Sequence, residues 1–182
     1  MNTEQEQEWA GKFGDAYHDR SPGNEEANFQ FFRGALYRFA NKVRAITPKT
    51  ILELGAGTGA NVRALFRLYP EAEITALELN QHAIEKMLAP GYETPPPKVV
   101  RASLLEWEPA HTYELVLTKG LLIHIHPDLL DRAYEKIHQA AGRWILLAEY
   151  YSPTPVGVPY RGEMERLWKR DFAGEMLDRY PD

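Results

Sequence analysis

Thr50-Ile51-Leu52-Glu53-Leu54-Gly55-Ala56-Gly57-Thr58-Gly59-Ala60-Asn61 is the stretch from which the fold can be read. Ile51 to Leu54 is an apolar run with the length and composition of a buried strand. It breaks into a glycine-rich turn. A helical pattern follows, with Val62, Leu65, Phe66 and Tyr69 on one face. Strand, glycine turn and helix make the first half of a βαβ unit. The glycines admit positive φ and let the backbone approach a ligand closely. The helix turns its unpaired N–H groups and the positive end of its dipole toward the turn.

Two ligand classes fit these glycines. Gly55, Gly57 and Ala60 match the dinucleotide fingerprint G-x-G-x-x-[GA]. Gly55, Gly57 and Gly59 match G-x-G-x-G, the pattern of S-adenosylmethionine (SAM) methyltransferases. Glu53 favours the second. It sits inside the strand, where it suits a cofactor carrying an ammonium and a sulfonium and repels a pyrophosphate. A glycine turn without a ligand is the plain alternative, but it gives the in-strand acid no use.

A second strand, Glu73 to Asn80, ends in another acid, Glu78, about 20 residues after the glycines. In a doubly wound sheet, an acid there accepts hydrogen bonds from the ribose hydroxyls of a bound nucleoside. Asn80 is placed to cap the next helix, Gln81 to Leu88. Ala89 to Lys98 holds four prolines and reads as an irregular loop. Val99 to Ala102 is a short third strand, and Ser103 and Leu104 follow it. Glu114 to Thr118 is a fourth, with Lys119 just past its end. Arg143 to Glu149 is a fifth, with Tyr150 and Tyr151 beyond it. Ligands in such sheets bind at the carboxyl ends of the strands, so these residues are expected at the site.

Composition narrows the function. At 182 residues, with 44% hydrophobic and 12% aromatic residues, the chain is long enough for one sizeable core. Net charge is −5 without a long basic block, so no nucleic-acid partner is expected. Zero cysteines exclude disulfides and cysteine–zinc sites, which is compatible with a cytoplasmic location. No apolar run approaches the ~20 residues of a membrane span. His124 and His126 alternate, so on an extended segment they share a face. With His111 they still lack the spacing of a zinc site, and no metal is expected.

At the amino end, Met1 to Glu8 is expected to fray. Trp9 to Arg20 collects Phe13, Tyr17 and Arg20 before Ser21-Pro22-Gly23. Residues 1–24 read either as an arm packing its rings on the core or as a lid over cofactor and substrate. The remainder, 25–182, is the binding domain. Asn24 to Ile46 is an amphipathic helix capped by Asn24 and stopped by Pro48. Pro127 and Asp128 open a helix to Ala140. Tyr160 to Arg179 reads as one last helix.

On these residues the chain resembles a class I SAM-dependent methyltransferase from about Phe13 onward. More narrowly, Leu117-Thr118-Lys119-Gly120 with Leu122-Ile123-His124-Ile125 resembles methylases associated with pseudaminic acid biosynthesis. So do Glu149 to Thr154, Tyr160-Arg161-Gly162 and Trp168 to Gly174. The resemblance implies a Rossmann-like, doubly wound, mostly parallel sheet. It departs from that class at two points. Ser103 stands where Asp is more usual. After Tyr150 no strand-like run follows, so the class's closing antiparallel pair of strands is missing from the reading and one sheet edge is left for a second copy.

The expected chemistry is methyl transfer from SAM to an oxygen or nitrogen of a small molecule of sugar or natural-product type. The expected cofactor residues are Glu53, Gly55, Ala56, Gly57, Gly59, Asn61, Glu78, Leu79, Ser103, Leu104 and Lys119. Among them Glu53 orients the ammonium, Glu78 holds the ribose, and Ser103 and Leu104 meet the adenine. His124 is the candidate base, since imidazole titrates near pH 6.5. Tyr17, Tyr150 and Tyr151 are candidates for positioning the acceptor. The alternatives are an NAD-dependent oxidoreductase and a non-catalytic SAM-binding scaffold.

Overall fold

A computed structural model describes residues 3–40, 47–89, 95–160 and 166–181, with the side chains of 37–40 left out. Five strands form one sheet in the order β3-β2-β1-β4-β5. They are β1 (Thr50–Leu54), β2 (Glu73–Glu78), β3 (Lys98–Arg101), β4 (Tyr113–Lys119) and β5 (Ala141–Ala148). The β1–β2, β2–β3 and β4–β5 pairs are all parallel. This is the expected Rossmann-like sheet. By contact density the chain forms two compact units, Met1–Ser103 and Leu104–Asp182.

In the first unit, β1 is apolar because it is covered on both faces: Ile51, Leu52 and Leu54 have no exposed surface. Helix α4 (Ala60–Leu68) buries Val62, Ala64, Leu65 and Phe66, the face read from its periodicity. Helix α3 (Glu25–Ala40) begins where Asn24 caps it, the Asn24 side chain accepting from Ala27 N–H at 2.9 Å. Its expected continuation to Ile46 lies outside the described residues. It meets α4 through Glu25, which pairs with Arg63 at 3.2 Å and Arg67 at 3.3 Å. Asn80 caps α5 (Gln81–Met87), accepting from Ala83 N–H at 2.7 Å.

The amino terminus corrects one expectation. Glu4–Ala10 is a helix, α1, and not a frayed end. The Thr3 side chain accepts from Glu6 N–H while the Glu6 carboxylate returns to Thr3 N–H, a reciprocal capping box. The acids Glu4, Glu6 and Glu8 suggested solvation; the cap and the burial of Glu6 override it. Gly11 then separates α1 from α2 (Lys12–Arg20).

In the second unit, α6 (Leu130–Ala140) covers β4 and β5 with Leu130, Ala133, Tyr134 and Ile137, all 0–2% exposed. Two expectations fail here. His124 and His126 do not share an extended segment. Leu122–His124 is a 3-10 turn in which His124 is buried, while His126 begins the next turn, Pro127–Leu129. The closing helix is also shorter than read. Val156–Gly157 (β6) pairs antiparallel with Trp168–Lys169 (β7), and α7 spans only Phe172–Arg179. Asp171 starts α7 by accepting from Gly174 N–H at 2.9 Å. A strand-like run does therefore follow Tyr150. It forms its own two-stranded ladder, so among the described residues the five-stranded sheet gains no antiparallel pair. Residues 161–165 of the expected helix lie outside the described residues.

No described helix is long and apolar enough to cross a membrane, and no group of His, Asp and Glu among the described residues is arranged to hold a metal ion.

Candidate functional site

The glycine turn forms as its sequence requires. Gly55, Gly57 and Gly59 all adopt left-handed backbone, with φ of 71°, 54° and 80°. Gly59 has the sharpest need for glycine, since a Cβ there would lie 2.5 Å from Met87 Cγ. The turn hangs from β2: Gly55 N–H and Ala56 N–H both donate to the Leu77 carbonyl, at 2.8 and 3.1 Å.

Glu78, at the end of β2, laces this turn from the other side. One carboxylate oxygen accepts from Gly57 N–H at 2.7 Å. The other accepts from Leu79 N–H and Asn80 N–H, each at 2.8 Å. Burial pushes its pKa up, against these three N–H groups, which favour the charged form. Beneath the turn, Glu53 is 1% exposed in the middle of β1. Burying an isolated carboxylate costs several kcal/mol, and a partner is supplied from the first turn of α4. Asn61 Nδ2 donates to Glu53 Oε1 at 2.6 Å. Asn61 Oδ1 is buried and has no hydrogen-bond partner among the described residues. Two carboxylates and an amide oxygen therefore stand as acceptors about the turn.

The amino-terminal helices complete this half of the site, and most of these contacts were not read from the sequence. His18 is buried, with ring atoms Cε1 and Nδ1 3.3 and 3.6 Å from where a Gly57 Cβ would stand. Tyr17 meets the His18 ring edge-on at 5.2 Å, and Trp9 meets Tyr17 at 5.2 Å. Asn80 Nδ2 donates to the Trp9 carbonyl at 3.0 Å and to Asp15 Oδ1 at 2.8 Å. Thr58 Oγ1 donates to the Pro22 carbonyl at 2.7 Å. Ser103 Oγ donates to Glu6 Oε1. The hydrogen bonds among them are long-range pairs with no local periodicity to announce them. Gly14 was the one available signal: a Cβ there would lie 1.9 Å from the Trp9 carbonyl oxygen.

The second unit holds the remaining expected residues. Leu104 is 6% exposed. Lys119 is the last residue of β4, in register with Ala148. Tyr150 and Tyr151 are exposed at 55% and 65%, and Lys169 Nζ lies 5.6 Å from the Tyr150 ring centre. His124 Nδ1 is 2.8 Å from the Arg166 carbonyl oxygen. An oxygen accepts only, so Nδ1 carries the proton and Nε2 the lone pair of the neutral ring. Burial holds the His124 pKa down, against the Arg166 carbonyl, which raises it. A neutral imidazole with a basic Nε2 can accept a proton. Glu149, just past β5, accepts from Leu121 N–H at 3.1 Å and Ile123 N–H at 3.4 Å.

Comparison with known proteins resolves what the geometry leaves between SAM and dinucleotide use. The sequence profile of the methyltransferase domain family matches residues 51–142, half of the chain, including the glycine turn, Glu53 and Glu78. The chain belongs to the methyltransferase domain family. Methyltransferase str2 of Strobilurus tenacellus is 30% identical over 107 residues, which is 55% of this chain and 35% of that one. The chain thus spans about a third of the length of this curated relative. Solved structures share the fold. A DhpI complex with S-adenosylhomocysteine (SAH) has a TM-score of 0.58 and 20% identity, covering 88% of this chain and 87% of that one. The glycopeptide N-methyltransferase MtfA with SAH has a TM-score of 0.61 and 16% identity, covering 81% and 78%. Coclaurine N-methyltransferase bound to N-methylheliamine and SAH has a TM-score of 0.61 and 17% identity, covering 82% and 47%.

One pH effect follows for this methyltransferase domain. Burial lowers the His18 pKa from 6.5 to about 4, with His82 and Lys86 adding to the shift. A histidine held neutral in the fold contributes stability above its unfolded pKa, and loses that contribution as pH falls toward its folded value. The melting temperature is therefore expected to fall between pH 6.5 and about 4. In His18→Gln this part of the decline should be smaller, as measured by the difference between the two melting curves. Identical pH slopes would remove His18 from this account.

Proposed function

We propose that the chain transfers a methyl group from SAM to an oxygen or nitrogen of a small molecule. One observation carries this reading: the left-handed glycine turn has hydrogen-bond acceptors about it, with Glu78 at its edge and the buried Glu53–Asn61 pair beneath it. That set fits the ammonium and ribose hydroxyls of SAM, which are donors, and leaves its carboxylate to the N–H groups at the start of α4. It opposes a pyrophosphate, which brings negative charge and needs donors. The family assignment points the same way. The solved neighbours named for SAH complexes support the cofactor, and the N-methyltransferases among them support a nitrogen acceptor. The resemblance to pseudaminic acid-associated methylases supports a sugar or natural-product acceptor.

When bound, SAM supplies a methyl group already activated on sulfur, so the protein's task is alignment and exclusion of water. In this reading Glu53 and the Asn61 Oδ1 receive the ammonium. Gly55, Ala56, Gly57 and Gly59 let the backbone approach the methionine portion. Glu78 and Leu79 hold the ribose, and Ser103 and Leu104 the adenine. Lys119 borders the cofactor from the end of β4. Residues 1–24 act as a lid over the turn. His124 takes the proton of a hydroxyl or ammonium acceptor at Nε2, while Tyr17, Tyr150 and Tyr151 orient that acceptor.

Calorimetric titration with SAM, SAH and NAD, followed by a labelled-methyl screen over small hydroxyl and amine compounds, tests the proposal. We expect micromolar SAM and SAH binding, of order −8 kcal/mol, with no heat from NAD. Binding of NAD in place of SAM would refute it. Cofactor binding without transfer to any compound in the screen would leave the scaffold alternative standing.

A further inference from the structure

The unused acid of the second unit, Glu149, points to a role that neither the family match nor the sequence motifs assign. We infer that Glu149 is the positioning residue of His124, fixing the 3-10 turn that carries the imidazole and so the direction of its Nε2. The inference rests on the reading of His124 as the base.

Glu149 follows β5, 25 positions after His124. Its carboxylate does not bind a cation in the contacts described. It is turned onto the start of the Leu122–His124 turn, where Oε1 accepts from Leu121 N–H at 3.1 Å and Oε2 from Ile123 N–H at 3.4 Å. Burial pushes the Glu149 pKa up, against the N–H groups of Leu121, Leu122 and Ile123, which favour the charged form. The amide groups at the start of a helical turn have no partner within the turn itself. Here a carboxylate just past the neighbouring strand accepts from the Leu121 and Ile123 amides. The other end of the turn is tied down independently. His124 N–H donates to the Leu121 carbonyl at 2.9 Å, and His124 Nδ1 meets the Arg166 carbonyl at 2.8 Å. Tyr160 contacts the ring at 5.4 Å between centres. The imidazole is thus held at both ends of its own turn, and Glu149 supplies the amino-terminal hold. A carboxylate is the appropriate group: both oxygens accept, whereas the amide of Gln would turn an NH2 toward an N–H.

The experiment has two arms, both on the full chain saturated with SAH or SAM. The first is a proton–nitrogen correlation spectrum of the histidine side chains, which needs no acceptor. Wild-type His124 should show a single Nδ1–H tautomer. In Glu149→Gln we expect a mixture of tautomers at His124, with the His126 signals unchanged as an internal check on folding. Unchanged His124 signals would overturn the inference. Should Glu149→Gln fail to fold, Glu149→Asp, which keeps the charge but withdraws it, is read in the same way.

The second arm uses the small-molecule acceptor identified by the labelled-methyl screen. Glu149→Gln should lower kcat by about ten- to a hundredfold while leaving SAH affinity intact. His124→Gln should lower kcat by about a hundredfold, and the double variant should be no slower than His124→Gln alone. Additive losses would make Glu149 a general support of the fold and overturn its positioning role. An unchanged kcat in His124→Gln would instead refute the base itself, and with it this inference.

Discussion

Glu78→Ala is expected to cost the protein both stability and cofactor affinity. Three backbone N–H groups, those of Gly57, Leu79 and Asn80, end on this carboxylate. Leaving a buried donor unpaired costs about 1–3 kcal/mol, more when the lost acceptor was charged. Water entering the space returns part of that, so a stability loss of about 3 kcal/mol is expected. SAH affinity should fall about a hundredfold or more, because the proposed ribose contact and the shape of the Gly57 turn are lost together. Glu78→Gln separates the two contributions. It keeps the volume and one acceptor oxygen, so it should restore much of the stability while affinity stays low. Calorimetric titration beside chemical denaturation reads both quantities. Affinity retained in either variant would remove Glu78 from the cofactor site.

The second large effect concerns backbone handedness. Gly59→Ala should destabilise the protein by about 2–4 kcal/mol: about 1–2 for a side chain in left-handed backbone and about 1–3 for overpacking, only partly relieved by movement of Met87. The φ of 80° and the 2.5 Å approach to Met87 Cγ act together here. Gly34 is the matched control. It lies inside α3, and a Cβ added there would meet nothing within 4 Å. Gly34→Ala should therefore stabilise by about 0.5–1 kcal/mol through helix propensity. Denaturation midpoints of the two variants should move in opposite directions. A neutral Gly59→Ala would mean that the turn can be rebuilt without its glycine.

Legibility in the sequence followed the range of the interaction. The turn, its flanking strand and helix, and the placement of the two acids in the first strand and at the end of the second could be read because each is set within a few residues. An apolar run, glycines, and an acid closing the next strand are local patterns with local causes. Asn24 and Asn80 were readable as helix caps for the same reason. The contacts of Trp9, Asp15 and Glu6 with Asn80 and Ser103 span 65 to 97 positions, and no periodicity encodes them. His18 over Gly57 is hidden in the same way. At the other end, β6 and β7 are two residues each, too short to show an alternating pattern. Trp168 spaced at helical intervals from Met164 and Phe172 imitated a continuous helix, until Asp171 capped a later start.

The polar side chains that fasten residues 3–24 to the rest of the first unit have a practical corollary. Thr58, Asn80 and Ser103 give hydrogens to Pro22, Trp9, Asp15 and Glu6. Those same three side chains border the glycine loop and the ends of the second and third strands. Anything that disturbs the leading helices, whether a purification tag fused near Thr3 or a shortened expression product, should therefore be judged as a change at the glycine turn and the adjoining strand ends and not as a harmless trim of the protein's edge.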